Sequence, residues 1–235
     1  MEQAGPRRRP PGGGYARGDE KRVKIIEAAL RVFGEHGYEG ASTRQIAQDA
    51  GVNPPALQYY FESKAGLHLA CTEHIAERLS QSLEAAYAAA DNIGPTDPEG
   101  AADALCGILD AFMDFLFGSA EMNGWSRFLA RGQGEERGPA YDALRRQVSD
   151  RLHASCVRLV GLATGRSPAD PRTKLRTIAL LGQLSVFHLG RNNALAMLGW
   201  PDFRGERLAM LQGLLHAQTR AILHPISALD IPDRV

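Results

Sequence analysis

The sequence predicts an all-α protein with a small N-terminal helical unit and a larger helical unit after it. Apolar residues recur at helical spacing almost without interruption from Asp19 to about residue 223. No stretch keeps the period-two alternation of a strand. Apolar residues make up 44% of the 235 residues, which is enough to build a core. We predict about nine helices, at residues 20–35, 43–50, 54–60, 64–90, 100–117, 121–131, 139–163, 171–198 and 204–223.

Turn-forming residues separate these helices. Gly37 is expected to end the first helix in the left-handed conformation. Asp170 followed by Pro171 has the order of an N-cap and a first helical residue. The other breaks are rich in Gly, Pro, Asp or Asn and lie at 91–98, 132–139 and 199–201.

The charge is balanced overall but not along the chain. Lys and Arg number 27 and Asp and Glu also number 27. Residues 1–24 carry seven basic against three acidic side chains, so the remainder is net negative. A basic N-terminal segment followed by a net acidic remainder is consistent with contact to nucleic acid through the N-terminal part of the chain. Residues 1–18 are rich in Arg, Gly and Pro and predict a disordered tail. Its Arg7, Arg8, Arg9 and Arg17 either enter a minor groove or add only non-specific attraction.

Other features exclude several classes of protein. The three cysteines, Cys71, Cys106 and Cys156, are widely spaced within apolar helical patterns, which favours buried thiols over disulfides, with redox sensing as an alternative. No metal-ligand spacing, nucleophile–base pair or phosphate-binding loop is present, so we predict no cofactor, no metal and no enzyme. No apolar run is long enough to span a bilayer and the N-terminus lacks a signal peptide, so a cytoplasmic location without membrane contact is expected.

Residues 42–61 have the spacing of a helix-turn-helix. Ser42 and Gln45 are expected to form a capping box at the start of its first helix. Gly51 supplies the positive φ of a tight turn. Asn53 then caps the second helix, and Pro54 occupies its first position. We expect the inward residues to be Ile46, Ala47, Ala50, Val52, Leu57 and Tyr60.

The stretch from Arg22 to Leu67 resembles the DNA-binding domain of the TetR family of transcriptional regulators. The matching residues are Ile25 to Leu30, Phe33, Gly37, Tyr38, Ser42, Thr43, Ile46, Ala47, Ala50, Gly51, Val52, Tyr60, Phe61, Ser63 and Lys64. Gln58 stands where many members of the family carry Tyr, and the run from Leu57 to Phe61 resembles a CecR-like subgroup. Three further segments resemble the effector domain of that subgroup, at 127–131, 182–191 and 198–200.

The resemblance implies a homodimeric repressor that binds a palindromic operator. Gln58 can form a bidentate pair with adenine, and Arg44 can reach guanine or a phosphate. Thr43 lies at a helix N-terminus that suits a phosphate, whereas Lys64 resembles the phosphate-binding Lys of the family. The predicted DNA-binding residues are Thr43, Arg44, Asn53, Pro54, Pro55, Gln58, Tyr59, Tyr60 and Lys64.

Residues 19–65 are therefore assigned to DNA binding and residues 66–225 to effector binding and dimerisation, followed by a tail at 226–235. The last two long helices are the expected dimer surface, through Leu175, Ile178, Leu181, Leu184, Leu189, Leu195, Leu208, Leu211, Leu214, Leu215 and Ile222. The predicted effector-binding residues are Phe112, Phe115, Trp125, Arg127, Phe128, Arg131, Phe187, His188 and Arg191. Three alternatives remain open at this point: a regulator without a small-molecule ligand, an activator, and a helical enzyme.

Overall fold

A computed structural model describes residues 13–118, 125, 127–129 and 139–223. In this part of the chain the regular structure is helical and no strand occurs, so the all-α prediction is confirmed. The helices are α1 (Gly13–Gly40), α2 (Thr43–Asp49), α3 (Pro54–Phe61), α4 (Lys64–Asp91), α5 (Pro98–Phe117), α6 (Pro139–Leu144), α7 (Asp150–Thr164), α8 (Pro171–Leu189), α9 (Arg191–Leu198) and α10 (Glu206–Leu223). Residues 125 and 127–129, within the predicted helix 121–131, are also helical.

Several of these helices begin directly after a polar residue whose side chain caps the first turn. Asn53 accepts a hydrogen bond from the Ala56 amide at 3.0 Å, and Ser63 accepts one from Gly66 at 3.0 Å. Asp97 likewise caps α5. Because each cap satisfies an amide that has no partner within its helix, it fixes the residue at which the helix begins.

Gly37 interrupts α1 in a conformation that differs from the expected one. Its φ of 75° and ψ of 175° lie outside the left-handed helical region, in a region open almost only to glycine. The predicted break is therefore present, but the chain resumes a helical turn as far as Gly40.

Two predicted long helices are divided. A π-helical turn, Arg145–Ser149, joins α6 to α7 within the stretch predicted as one helix at 139–163. The stretch predicted at 171–198 breaks at Gly190, where a Cβ atom would lie only 2.7 Å from the Val186 carbonyl oxygen. The break therefore occurs where the backbone leaves no room for a side chain.

Three apolar clusters form the core. The N-terminal core cluster joins α1, α2 and α3 to the first half of α4, and it includes Trp125 and Phe128. A second cluster joins the rest of α4 to α5 and α7. A third, which we call the Phe117 cluster, joins the end of α5 to α8, α10 and Phe203. Helix α4 thus contributes to two clusters and connects the N-terminal unit to the rest. Among the described helices, none has both the length and the apolar character needed to cross a membrane.

Candidate functional site

Buried apolar residues fix α2 and α3 relative to one another. Ile46, Ala47 and Leu57 are buried, and the Val52 amide donates to the Ala47 carbonyl at 2.9 Å. Gly51 has a φ of 64°, as the tight turn requires. Three other members of the expected inward set, Ala50, Val52 and Tyr60, are only half-buried, whereas Phe61 is buried. These contacts hold the two short helices at one angle on α1 and α4.

The capping box expected at the start of α2 is absent. Ser42 has the extended backbone of an N-cap, but its side chain makes no capping hydrogen bond. The amide of Gln45 lies 3.3 Å from the His36 ring nitrogen instead of reaching back to Ser42. Gln45 therefore contacts α1 instead of Ser42, and the Ser42 hydroxyl does not accept a hydrogen bond from the first amides of α2.

Most of the predicted DNA-binding side chains are exposed on α2 and α3. Tyr59 is 83% exposed, although tyrosine is on average partly buried in folded proteins. Tyr60 is half-buried beneath it, with ring centroids 5.4 Å apart. Asn53 is exposed, but its side chain is already used as the cap of α3. The remaining exposed members are Thr43, Arg44, Pro54, Pro55 and Gln58.

Lys64 is held at the edge of this surface by two contacts. Its ammonium donates to the Glu39 carbonyl at 3.3 Å and lies 4.7 Å from the centroid of the Tyr38 ring. An ammonium has three donors, so two remain beyond the bond to Glu39. The Lys64 ammonium is therefore held in place by its own chain in the absence of a bound ligand.

The structure divides the predicted effector-binding set. Trp125 and Phe128 belong to the N-terminal core cluster, where Trp125 contacts His74 of α4 at a centroid distance of 5.4 Å. Phe187 packs instead against Phe203 in the Phe117 cluster, at 5.8 Å. Phe112 and Phe115 are half-buried between clusters, and Arg127 is exposed. Arg131 lies outside the described residues, as do the tail residues Arg7, Arg8 and Arg9.

His188 and Arg191 lie together at the junction of α8 and α9. Burial lowers the pKa of His188, and the positive charge of Arg191 lowers it further. Burial also lowers the pKa of Arg191, and the charge of Arg204 adds to that effect. Arg204 and Gln183 were not among the predicted effector-binding residues. Both carry a buried nitrogen atom without a hydrogen-bond partner among the described residues.

A surface groove of about 450 Å³ lies elsewhere, between α4 and the π-helical turn. It is lined by five polar or acidic residues, none of which belongs to the predicted effector-binding set. The lining residues are Glu73, Glu77, Ser80, Gln81 and Gln147. Among the described residues, no group of three His, Cys, Asp or Glu side chains is placed to hold a metal ion.

An exposed apolar stripe follows α8 and α10. Leu175, Ile178, Val186 and Leu189 are exposed on α8, and Gly182 lies between them with open space around it. Met210 and Leu214 are exposed on α10, beside Gly213. Other members of the expected dimer surface instead face the core of their own chain: Leu184, Leu208, Leu211 and Leu215 are buried, and Leu181, Leu195 and Ile222 are half-buried against it.

Two family models match the chain in succession. Residues 25–71 match the model of bacterial regulatory proteins of the tetR family. Residues 101–226 match the C-terminal domain of the HTH-type transcriptional dual regulator CecR. The chain belongs to the TetR family of transcriptional regulators. This regulator is also similar to the HTH-type transcriptional dual regulator CecR of Shigella flexneri, with 32% identity over 90% of this chain and 95% of that protein.

Solved structures of other regulators share the fold. The regulator FadR from Bacillus subtilis, in complex with stearoyl-CoA, has 16% identity and a TM-score of 0.58, covering 86% of this chain and 95% of FadR. AibR, in complex with isovaleryl coenzyme A and operator DNA, has 14% identity and a TM-score of 0.57, covering 72% of this chain and 85% of AibR. The helix-turn-helix is therefore a DNA-binding domain of the TetR type, and the prediction that the protein is a regulator and not an enzyme is confirmed.

Proposed function

We propose that this regulator represses transcription by binding a palindromic operator as a homodimer, and that a small-molecule effector releases it. In this proposal residues 19–65 read the DNA in the cytoplasm, and residues 66–225 bind the effector and form the dimer. The observation that carries it is the exposed surface of α2 and α3, where Arg44, Gln58 and Tyr59 project from a buried base.

This surface has the residue types that a major groove requires. Gln58 lies in the middle of α3 and is exposed, so its amide can donate to and accept from one adenine. Thr43 begins α2, whose uncapped first amides and helix dipole favour a phosphate. Lys64 is positioned for a second phosphate on the other side of α3. Pro54 and Pro55 offer apolar contact to thymine methyl groups.

The apolar stripe on α8 and α10 supports a dimer. Ile178 is 65% exposed and Met210 is also 65% exposed, which is costly for large apolar side chains unless another surface covers them. Gly182 and Gly213 lie within the stripe and would let helices approach closely. Two copies related by a two-fold axis would cover both stripes with the same surface. A dimer would also place its recognition helices one helical turn of DNA apart, about 34–36 Å, or at a multiple of that spacing.

Coupling to an effector is supported by α4, which belongs to both the N-terminal core cluster and the second cluster. A ligand that favours one tilt of α4 would change the separation of the two recognition helices. FadR and AibR, which share the fold, are complexes with acyl-CoA molecules. We therefore include thioesters of this class among the compounds to test.

The operator is tested by selecting bound duplexes from a random DNA pool with the purified full-length protein. We expect an inverted repeat to be enriched. Arg44→Glu on the exposed surface should abolish the selection, whereas Arg78→Glu, the same charge change on exposed α4, should leave it intact. Recovery of no preferred sequence at moderate salt would refute DNA recognition.

Release is tested by adding metabolites, drugs and acyl-CoA molecules to the protein–operator complex. We expect one class of compound to raise the apparent Kd for the operator. If no compound does so, the regulator acts without a small-molecule ligand. A promoter-fusion assay with and without the regulator distinguishes repression from activation, and the description of the Shigella relative as a dual regulator makes this comparison necessary.

A further inference from the structure

A group of buried nitrogen atoms without partners lies at the junction of α8, α9 and the segment before α10. It comprises Nη1 of Arg191, Nε of Arg204, Nδ1 of His188 and the side-chain amide of Gln183. None of these atoms finds a hydrogen-bond partner among the described residues. We call these four residues the arginine cluster. A buried donor without a partner is costly, and a buried cation without one is more costly still.

In the part of the chain that the structure describes, more positive than negative groups act on Arg191. The positive charge of Arg204 acts on Arg191, and the charge of Arg127 adds to it. Asp202 is the acidic group that acts on Arg191, but its carboxylate already accepts a hydrogen bond from Arg207 at 2.5 Å. Arg207 also donates to the Asp202 carbonyl at 3.0 Å. Asp202 is therefore engaged by a third arginine, and among the described residues no other acidic group acts on Arg191.

Aromatic rings lie directly against the same guanidinium group. The central carbon of Arg191 is 5.4 Å from the centroid of Phe117 and 5.8 Å from that of Phe203. Phe187 and Trp200 both contact Phe203 edge-on. Gln183 lies one helical turn before Phe187 on α8. Stacking on the rings orients the guanidinium but supplies no acceptor for its N–H groups.

We propose that the effector is an amphiphilic anion, whose carboxylate or phosphate group is bound by Arg191 and Arg204 and whose apolar part lies against the Phe117 cluster. This inference rests on the ligand-responsive function proposed above and names the chemical class of the ligand. Arg191 and Arg204 each have one buried N–H donor without a partner among the described residues, and one oxyanion can accept a charge-assisted hydrogen bond from each of them. The half-buried rings of Phe187 and Trp200, at the edge of the Phe117 cluster, offer a surface to an apolar chain.

The test measures thermal unfolding of the full-length protein with three ten-carbon probes, namely decanoate, decyl phosphate and decanol, at equal ionic strength and below micelle formation. We expect one or both anions to raise Tm by several degrees, because a ligand that binds only the folded state stabilises it, and we expect decanol to have little effect. Comparing decanoate with decyl phosphate distinguishes the two oxyanions.

Arg191→Leu separates this role from a structural one. Without any probe, the variant should unfold about 2–4 °C higher than the wild type, because it removes a guanidinium group whose buried Nη1 has no hydrogen-bond partner among the described residues. Its Kd for the preferred anion should be at least tenfold weaker. Arg146→Leu, which removes an exposed charge from the π-helical turn, should bind as the wild type does. Arg191→Lys, which keeps the charge but not the planar guanidinium group and its fixed donor directions, should bind with intermediate affinity.

Several results would overturn the proposal. Arg191→Leu could unfold at a lower temperature than the wild type, which would show that a structural acceptor, such as a carboxylate of a second copy, satisfies Arg191. Decanol could shift Tm as much as the anions, or neither anion could shift it. If the operator complex nevertheless dissociates on adding some other compound, the ligand-responsive function stands and only the anionic class is refuted.

Discussion

Phe128 packs against Phe33 of α1, with ring centroids 6.2 Å apart and an interplanar angle of 54°. Phe33 lies in the match to the tetR family model and Phe128 in the match to the CecR C-terminal model. His68 of α4 contacts both rings, at 5.1 Å from Phe33 and 4.8 Å from Phe128. An aromatic residue of the C-terminal match is thus part of the N-terminal core cluster.

Replacing Phe128 with Ala should therefore destabilise the DNA-binding unit. Phe128 is 5% exposed, and truncation of a buried Phe typically costs about 3–5 kcal/mol. Thermal unfolding should show a clearly lower Tm. Tyr59→Ala is the matched control, because that ring is exposed and its loss should leave Tm unchanged while weakening DNA binding. Equal stability of Phe128→Ala and the wild type would show that this ring does not support the N-terminal core.

Gly51 should resist substitution because of its backbone and not because of crowding. Its φ is 64°, yet a Cβ atom there would meet no atom within 4 Å. Gly51→Ala is expected to cost about 1–2 kcal/mol, the usual penalty for a left-handed alanine. Gly107→Ala is the opposite case, since Gly107 is inside α5 with equally open space, and it should stabilise by up to about 1 kcal/mol. Chemical denaturation measures both, and the same sign for the two variants would contradict this explanation.

The helix-turn-helix was predictable because its geometry depends on neighbours in sequence. Asn53 caps α3 and Gly51 has positive φ, as the local pattern requires. Ser42 was mispredicted because the residue expected to complete its capping box, Gln45, contacts His36 of α1 instead. That partner lies nine residues earlier on a different helix, so the capping pattern itself could not reveal it.

The C-terminal half was less predictable because helical periodicity does not say what covers each face. Leu184 and Ile178 both belong to the apolar pattern of α8, but Leu184 is buried by its own chain and Ile178 is exposed. Arg204 lies in the non-helical segment before α10, so nothing local linked it to Arg191. Trp125 and Phe128 were assigned to an effector site from their aromatic character, whereas their position depends on tertiary contacts with α1 and α4.

Ile178→Glu should convert the proposed dimer into a monomer. Its side chain is the most exposed of the stripe on α8, at 65%, and a charge there would be buried in a two-fold interface. Sedimentation at several protein concentrations should give half the wild-type mass. Val23→Glu, on the exposed surface of α1, introduces the same charge away from the stripe and should remain dimeric. A dimeric Ile178→Glu variant would place the interface elsewhere.

The three cysteines should be unreactive in the native protein. Burial raises the pKa of Cys156 to about 12, and it also raises the pKa of Cys71 and Cys106. Because the thiolate is the reactive form, a thiol reagent at pH 8 should find almost no target until the protein unfolds. Denaturant should then release all three groups. Rapid labelling of the folded protein would instead favour the redox-sensing alternative.

Gln58 and Lys64 should affect DNA binding in different ways. Gln58→Ala is expected to cost about 1–3 kcal/mol on the preferred operator and to relax the preference at one base pair, because it removes a base contact. Gln81→Ala, an exposed glutamine on α4, should bind every operator as the wild type does.

Lys64→Ala should weaken binding to all sequences alike and reduce the slope of log K against log salt by about 1, because it removes a phosphate contact. The ammonium is already held by the Glu39 carbonyl and the Tyr38 ring, so little conformational entropy is lost when it meets a phosphate. Binding measured across operator variants and salt concentrations separates the two effects. Equal losses of affinity for every operator and equal changes of the salt slope would contradict a base contact for Gln58 and a phosphate contact for Lys64.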